Sequence, residues 1–225
     1  MTFQRARSEE QREVRRRAIL ETAAAMLEEM PLADVSLNEL SRRVGLAKSN
    51  VLRYFDSREG VLLALMDTVF ERWLGDLAGS LDAGVDRGLP LVRRAERLAA
   101  VLARSLAGNP VLLDLLGAQG AVLERNVTVE VVTRHKRTAL TRLTGAADLL
   151  RRYVPELGAG AETFCFQAMV LAGALAHFSS PPPGVRAAYE AEPALAVLHQ
   201  ELADSLRGAI RTMLLGAVPR GGAPG

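Results

Sequence analysis

The chain has 225 residues, 49% of them hydrophobic and 24% charged, which is enough for one or two domains with buried cores and excludes a disordered protein. A formal net charge of +2 excludes a strong overall field, so any affinity for nucleic acid has to come from basic groups placed locally. The single cysteine, Cys165, excludes an intramolecular disulfide and fits a reducing cytosol; its Phe-Cys-Phe setting in an apolar stretch reads as buried filler.

The N-terminus is polar and lacks the apolar core of a secretory signal, and no apolar run reaches the roughly 18 unbroken residues of a membrane span. The expectation is a cytoplasmic protein with no membrane contact. Residues 1–8 read as frayed, with Arg5 and Arg7 as a basic arm. A first helix is expected over residues 8–30, with Val14, Ile19, Ala23, Met26 or Leu27, and Met30 as its apolar stripe and Pro31 as its stop. Arg12, Arg15, Arg16 and Arg17 surround its early turns as a solvated face, unless the next helices grip DNA and bring them to the phosphates.

Ser36 and Glu39 have the spacing of a capping box, so a helix should begin at Leu37, with Leu40 and Val44 on its apolar side. Gly45 can take a positive φ and turn the chain. Leu46, Val51 and Phe55 then restart an apolar stripe after a connection of helix-turn-helix length. The outward side of this second helix carries Lys48, Ser49, Asn50, Arg53 and Tyr54, groups that can read base edges and phosphates in a major groove. On pattern alone, a helical hairpin that never meets DNA fits as well, and an all-helical protein-interaction module is the alternative reading.

The run VSLNELSRRVGLAKSNVLRYFDSREGVLLAL resembles the DNA-binding signature of the TetR family of bacterial transcriptional regulators, over about residues 12–66. The resemblance implies a helix-turn-helix head over residues 1–56 and a helical effector-binding and dimerisation body over residues 57–225. It implies a homodimer that binds a palindromic double-stranded DNA operator and is released from it, as a repressor, by an apolar small-molecule effector. The DNA contacts it implies are Ser36, Asn38, Lys48, Ser49, Asn50, Arg53, Tyr54 and Arg58. Arg58 stands where a phosphate-binding Lys is usual, Ala47 replaces a frequent Ser, and Leu52 replaces a common aromatic.

Beyond the head, Ser57 is placed to cap a connector helix over residues 58–80, and residues 82–90 read as a loop. Helices follow over residues 91–107 and 110–116, the second with Asn109 as N-cap and Pro110 at its first position. Gly117 and Gly120 punctuate the chain before a long helix over residues 121–153, with Gly145 as its weak point and Pro155 as its stop. Residues 158–161 read as a turn, 162–178 as an apolar helix, 179–184 as non-helical, and 185–190 as at most a helical turn in a loop. A last helix is expected over residues 194–217 and disorder after it. No segment alternates as a strand does, so the fold class is all-α, with about nine helices.

No phosphate-binding loop, nucleophile elbow, paired cysteines or His-Glu-x-x-His is present, so no enzyme, cofactor or metal is expected. His135, His177 and His199 lie on separate helices and read as core or surface residues. A ligand cavity is expected between helices of residues 85–178, with Leu102, Leu106, Leu112, Leu116, Phe164, Met169 and Phe178 as candidate lining and Glu124, Arg125 and His135 as candidate polar contacts. Helices 162–178 and 194–217 are each apolar on more than one side, which predicts a homodimer through a four-helix bundle of both. Its seams would be Phe164, Ala168, Leu171, Leu175 and Phe178 in the first helix, and Leu195, Leu198, Leu202, Ala209 and Met213 in the second.

Overall fold

The computed structural model describes the backbone of residues 2–218 and the side chains of residues 9–218. It is all-α: ten α-helices, short 3-10 turns and one π-helical segment, with no strand among the described residues. The disorder expected after residue 217 lies almost entirely outside this range.

Three helices build the head, as expected. α1 (Thr2–Glu29) starts earlier than expected, so residues 2–8 continue the helix instead of fraying; the side chains of Arg5 and Arg7 lie outside the described ones. α2 (Leu37–Val44) begins at Ser36, whose Oγ accepts from the Glu39 N–H at 3.2 Å. Only that half of the capping box forms, because the Glu39 carboxylate pairs with Arg42 and Arg43. Gly45 ends α2 at φ 73°, and an added Cβ there would meet nothing within 4 Å; the glycine is needed for backbone freedom, not for space. α3 (Lys48–Leu52) is short, and Val51 and Phe55 hold it on the core formed by Ile19, Ala23, Met26 and Leu40. Val14, expected in the apolar stripe of α1, is exposed.

α4 (Arg58–Gly84) leaves the head without a break, capped by the Ser57 Oγ, which accepts from the Gly60 N–H at 3.0 Å. It buries Val61, Leu62, Leu65 and Met66 near the head and Trp73, Leu77 and Leu81 in the body, so it is shared by both. The Trp73 Nε1–H donates to the Ser105 Oγ at 2.8 Å and ties α4 to α5 (Leu91–Ala107). The buried Arg94 of α5 donates to the Leu89 and Tyr153 carbonyls and to Glu156, which satisfies a cation that would otherwise be costly to bury.

α6 (Pro110–Ala118) is longer than expected and runs on into a π-helical segment at Gln119–Leu123. Asn109 does not cap it; its Nδ2 donates to the Ser105 carbonyl at 2.7 Å. α7 (Val129–Arg151) starts eight residues later than the expected 121, because Thr128 caps it by accepting from the Val131 N–H at 3.4 Å. It passes through Gly145 unbroken. α8 (Ala161–Ser179) crosses α6 so closely that a Cβ on Gly173 would lie 2.5 Å from the Gly117 nitrogen. α9 (Pro183–Ala191) occupies what reads as a loop: the third proline takes the first helical position, where its missing N–H is no loss. The expected helix over 194–217 is two pieces. A 3-10 turn at Pro193–Leu198 ends where His199 is extended, and α10 (Leu202–Ala217) follows.

The segment Pro155–Ser179 is long and apolar enough to cross a membrane by composition alone. One face of it, Phe164, Cys165, Ala168, Ala172 and Ala176, is packed into the bundle. Cys165 is buried there as expected, and burial pushes its thiol up to about 12.

Candidate nucleic-acid interface and ligand cavity

In the head, the burial of Val51 and Phe55 turns the opposite side of α3 outward, and Lys48, Ser49, Asn50 and Arg53 are exposed on it. Asn38, on α2, is exposed as well. Ser36 is exposed but its hydroxyl is already engaged as the cap of α2. Tyr54 differs: it is half-buried and packed against the core. Six of the eight residues expected at DNA are therefore exposed.

Arg58 requires a correction. Its Nε and one terminal nitrogen donate to the carbonyls of Val35 and Leu32, and the other terminal nitrogen pairs with Glu59 at 3.0 Å. The side chain is 21% exposed. A guanidinium whose fork is spent on two backbone carbonyls and a carboxylate holds the α1–α2 connection against α4, and it is not presented to a phosphate.

Between the head and the α4–α7 layer lies a cleft of about 170 Å³ lined by Arg12, Arg16, Arg53, Arg134, Tyr54 and Asp67, among others. Arg16 stacks over the Phe55 ring at 4.5 Å. Its burial is the main cause that lowers its guanidinium below the usual value; Arg134 and Arg12 act in the same direction, while Glu13 and Asp67 oppose it. The sequence marks Arg12 and Arg16 as a solvated face or as phosphate partners, not as lining of a cleft, and gives no sign of Arg134, which belongs to α7.

On the other side of the same wall is a cavity of about 270 Å³, close to the lower bound for ligand sites. Met66 and Phe70 from α4, Leu116 from α6, Leu143 from α7 and Met169 from α8 supply its apolar surface. Leu116, Met169 and His135 were expected there. Leu102, Leu106, Leu112 and Phe164 are instead plain core, Phe178 is exposed, and neither Glu124 nor Arg125 lines the cavity.

The polar groups of this cavity form one hydrogen-bonded chain. Asp67 Oδ1 lies 3.1 Å from His135 Nδ1 and accepts from Arg142 at 2.6 Å. His135 Nε2 lies 3.2 Å from the Gln119 Nε2, and that amide also donates to Glu124 at 2.7 Å. An amide nitrogen only donates, so His135 Nε2 accepts and its Nδ1–H donates to Asp67. Glu124 in turn accepts from Lys136 at 2.6 Å. Burial raises the Glu124 carboxyl and is the largest single cause acting on it, yet the bonds from Lys136 and Gln119 together bring it below its ordinary value. His135 is thus a buried, fully partnered residue, and no group of three or more candidate metal ligands occurs among the described residues.

The faces expected to pair in a dimer are re-sorted by the structure. On α8, Phe164, Cys165, Ala168 and Ala172 point into the protomer, while Phe166, Val170 and Phe178 are exposed. On α10, Leu206, Ile210 and Leu214 are buried. Leu195 and Leu198 fall in the 3-10 turn before the break at His199 and cannot continue an α10 seam. Leu171 and Leu175 line a shallow groove with Asp204, Ser205 and Ala209 of α10.

A family model described as bacterial regulatory proteins, tetR family, matches residues 19–65, and one described as tetracyclin repressor-like, C-terminal domain, matches residues 67–221. A 52-residue segment is 46% identical to the HTH-type transcriptional regulator EthR of Mycobacterium tuberculosis (strain ATCC 25618 / H37Rv), over 23% of this chain and 24% of that protein. EthR of Mycolicibacterium smegmatis is 38% identical over 58 residues, 26% of this chain and 27% of its own length. The chain thus spans about a quarter of the length of the curated relatives it matches. Among solved structures, a TetR transcriptional regulator from Rhodococcus sp. RHA1 superposes with a TM-score of 0.56 at 14% identity, covering 96% of this chain and all of that one. FadR from Bacillus subtilis, solved in complex with stearoyl-CoA, gives 0.52 at 11% identity, covering 89% and 98%. Identities this low establish the fold alone. The two family models, one on the head and one on the body, extend over most of the chain, and the chain belongs to the TetR family of bacterial DNA-binding transcriptional regulators.

Proposed function

We propose that this regulator is a cytoplasmic repressor, a homodimer whose two heads (residues 1–56) hold a palindromic operator and whose bodies (residues 57–225) bind a small apolar effector that releases it. Lys48, Ser49, Asn50 and Arg53 read the groove, with Ser36, Asn38 and Tyr54 beside them at its edge. The observation that carries effector control is that Asp67 and His135 line both the apolar cavity and the arginine cleft beneath the head. A ligand that rearranges their bonds acts at once on the wall of its own cavity and on the field felt by Arg16 of α1. Such a ligand shifts operator affinity only by its differential affinity for the two head arrangements. On α8, Phe166, Val170 and Phe178 are exposed and support a second copy at that helix, which would also cover the side of the cavity that Phe166 and Val170 line. A gel shift on the promoter flanking this gene tests the reading: a retarded band that is competed by the same fragment and not by unrelated DNA is expected. Equal competition by both would remove the operator from the proposal.

A further inference from the structure

We propose that the cavity between α4, α7 and α8 takes a small amphiphilic carboxylate, its acid group on Arg142 and Lys136 and its apolar body against Phe70, Leu143 and Met169. The inference rests on the reading of this cavity as the effector site and names the chemical class of the effector. Three observations lead to it.

The first is the layout of polarity. The polar side chains of the lining belong to one bonded chain, from Arg142 through Asp67, His135 and Gln119 to Glu124 and Lys136, so they form a single wall facing an apolar remainder. A ligand that fills the space has one polar end.

The second is the sign of the charge. Arg142, Lys136 and Asp67 line the cavity, whereas the other carboxylates of the network do not: Glu71 is largely exposed, and Glu124 meets the cavity only through its pair with Lys136 at 2.6 Å. Two cations and one carboxylate therefore face the ligand. An ammonium group would meet both cations, while Asp67 Oδ1 is already engaged by His135 and Arg142.

The third is donor valence. A guanidinium has five N–H groups, and Arg142 commits one nitrogen to Asp67 at 2.6 Å. Its other ion pair, to Glu71 at 3.6 Å, is beyond hydrogen-bond length, and Glu71 is 79% exposed, so that pairing is weak. Arg142 itself is only 15% exposed. No side-chain nitrogen among the described residues is sealed off without a partner, so the Arg142 nitrogens not bonded to Asp67 reach accessible space, and the Lys136 side chain is itself 52% exposed. A carboxylate supplies the acceptors that this fork matches in two-point geometry. At the roughly 30 Å³ that a water-sized group occupies in a liquid, the cavity holds on the order of nine non-hydrogen atoms.

The test is calorimetric titration of the full-length protein with octanoate, octan-1-ol and octylamine, which share a chain of fitting size and differ in head group. Octanoate is expected to bind roughly tenfold to a hundredfold more tightly than octanol, the range of one charge-assisted interaction, and octylamine more weakly than either. Arg142→Gln should erase the advantage of octanoate and leave octanol unchanged. Lys136→Met, at a 52% exposed side chain, should cut octanoate affinity several-fold and serves if the Arg142 variant does not fold. Octanol binding as tightly as octanoate, or both substitutions affecting the two ligands equally, overturns the carboxylate assignment. Octanoate binding that survives Leu143→Trp means the acid sits outside this cavity and overturns it as well. Octanoate binding that is lost in Leu143→Trp but leaves operator affinity of the wild type unchanged upholds the acid site and removes the effector reading instead.

Discussion

Replacing Arg58 separates two roles that one cation at the first turn of α4 could have. Its bonds to the Val35 and Leu32 carbonyls close the α1–α2 connection onto α4, and Glu59 holds the remaining terminal nitrogen. Arg58→Ala leaves both carbonyls and the carboxylate without that donor. A hydrogen bond to a charged group contributes about 1.5–3 kcal/mol, and the partial exposure of the site lets water recover part of it, so the loss for both is about 2–4 kcal/mol. For a chain of this size that corresponds to a drop of roughly 4–16 °C in Tm. Arg58→Lys keeps the charge but cannot bridge two acceptors with a fixed fork, and should recover less than half of the loss. Calorimetric or urea unfolding at fixed protein concentration measures this, and the slope of log K against log salt for operator binding is measured beside it, at a temperature where the variant is folded. A structural Arg58 leaves that slope alone. A phosphate contact would reduce it by about one unit. Unchanged stability together with a slope smaller by one would refute the structural role.

Gly45→Ala should destabilise the head by about 1–2 kcal/mol, all of it from the left-handed backbone at φ 73°, because the added methyl meets nothing; a neutral result in urea unfolding would mean that the turn can relax. Lys48→Ala and Asn50→Ala should each cost roughly 1–3 kcal/mol of base discrimination without unfolding the head, and a titration against base-substituted operators in which preference is unchanged would remove α3 from the groove. Ala174→Arg with Phe178→Arg should give a monomer by sedimentation while the protomer stays folded, since both side chains already face solvent in the protomer. A wild type that sediments as a dimer and a double variant that does the same would place the interface elsewhere.

The head was legible because its signals are local. Ser36, Gly45 and Ser57 each fix a helix end through atoms no more than four residues away, and all three act as their types predict. Arg58 was misread for the opposite reason: its acceptors lie 23 and 26 residues earlier, and neighbouring sequence shows only a cation. The helix limits that failed are locally ambiguous. Thr128 falls inside what reads as one helix from residue 121, Pro183 can bar a helix or open one, and His199 breaks an apolar pattern that runs on across it. The cavity was harder still, since Asp67 meets His135 and Arg142 across 68 and 75 residues and no periodicity within α4 announces a charged pair among Met66 and Phe70.

Those long-range pairs also say where the two halves of the molecule are joined. Asp67 lies ten residues into the unbroken helix that Ser57 caps, about 15 Å along its axis at 1.5 Å per residue. Both of its partners belong to α7, where His135 and Arg142 are seven residues apart and so lie two turns apart on one face. A change at Asp67 therefore alters how α4 seats on α7, and a stiff helix carries that change to the head. Asp67→Asn removes the ion pair with Arg142 and the field at Arg16 while keeping a hydrogen-bonding side chain of the same shape. With octanoate as the probe, the ratio of operator affinities without and with ligand should fall toward one in the variant, against the 5–150-fold ratio, about 1–3 kcal/mol, typical of coupled sites. The variant should still bind octanoate, because Arg142 and Lys136 remain. An Asp67→Asn protein that binds the ligand and releases DNA as fully as the wild type would show that coupling runs through another contact between α4 and the body.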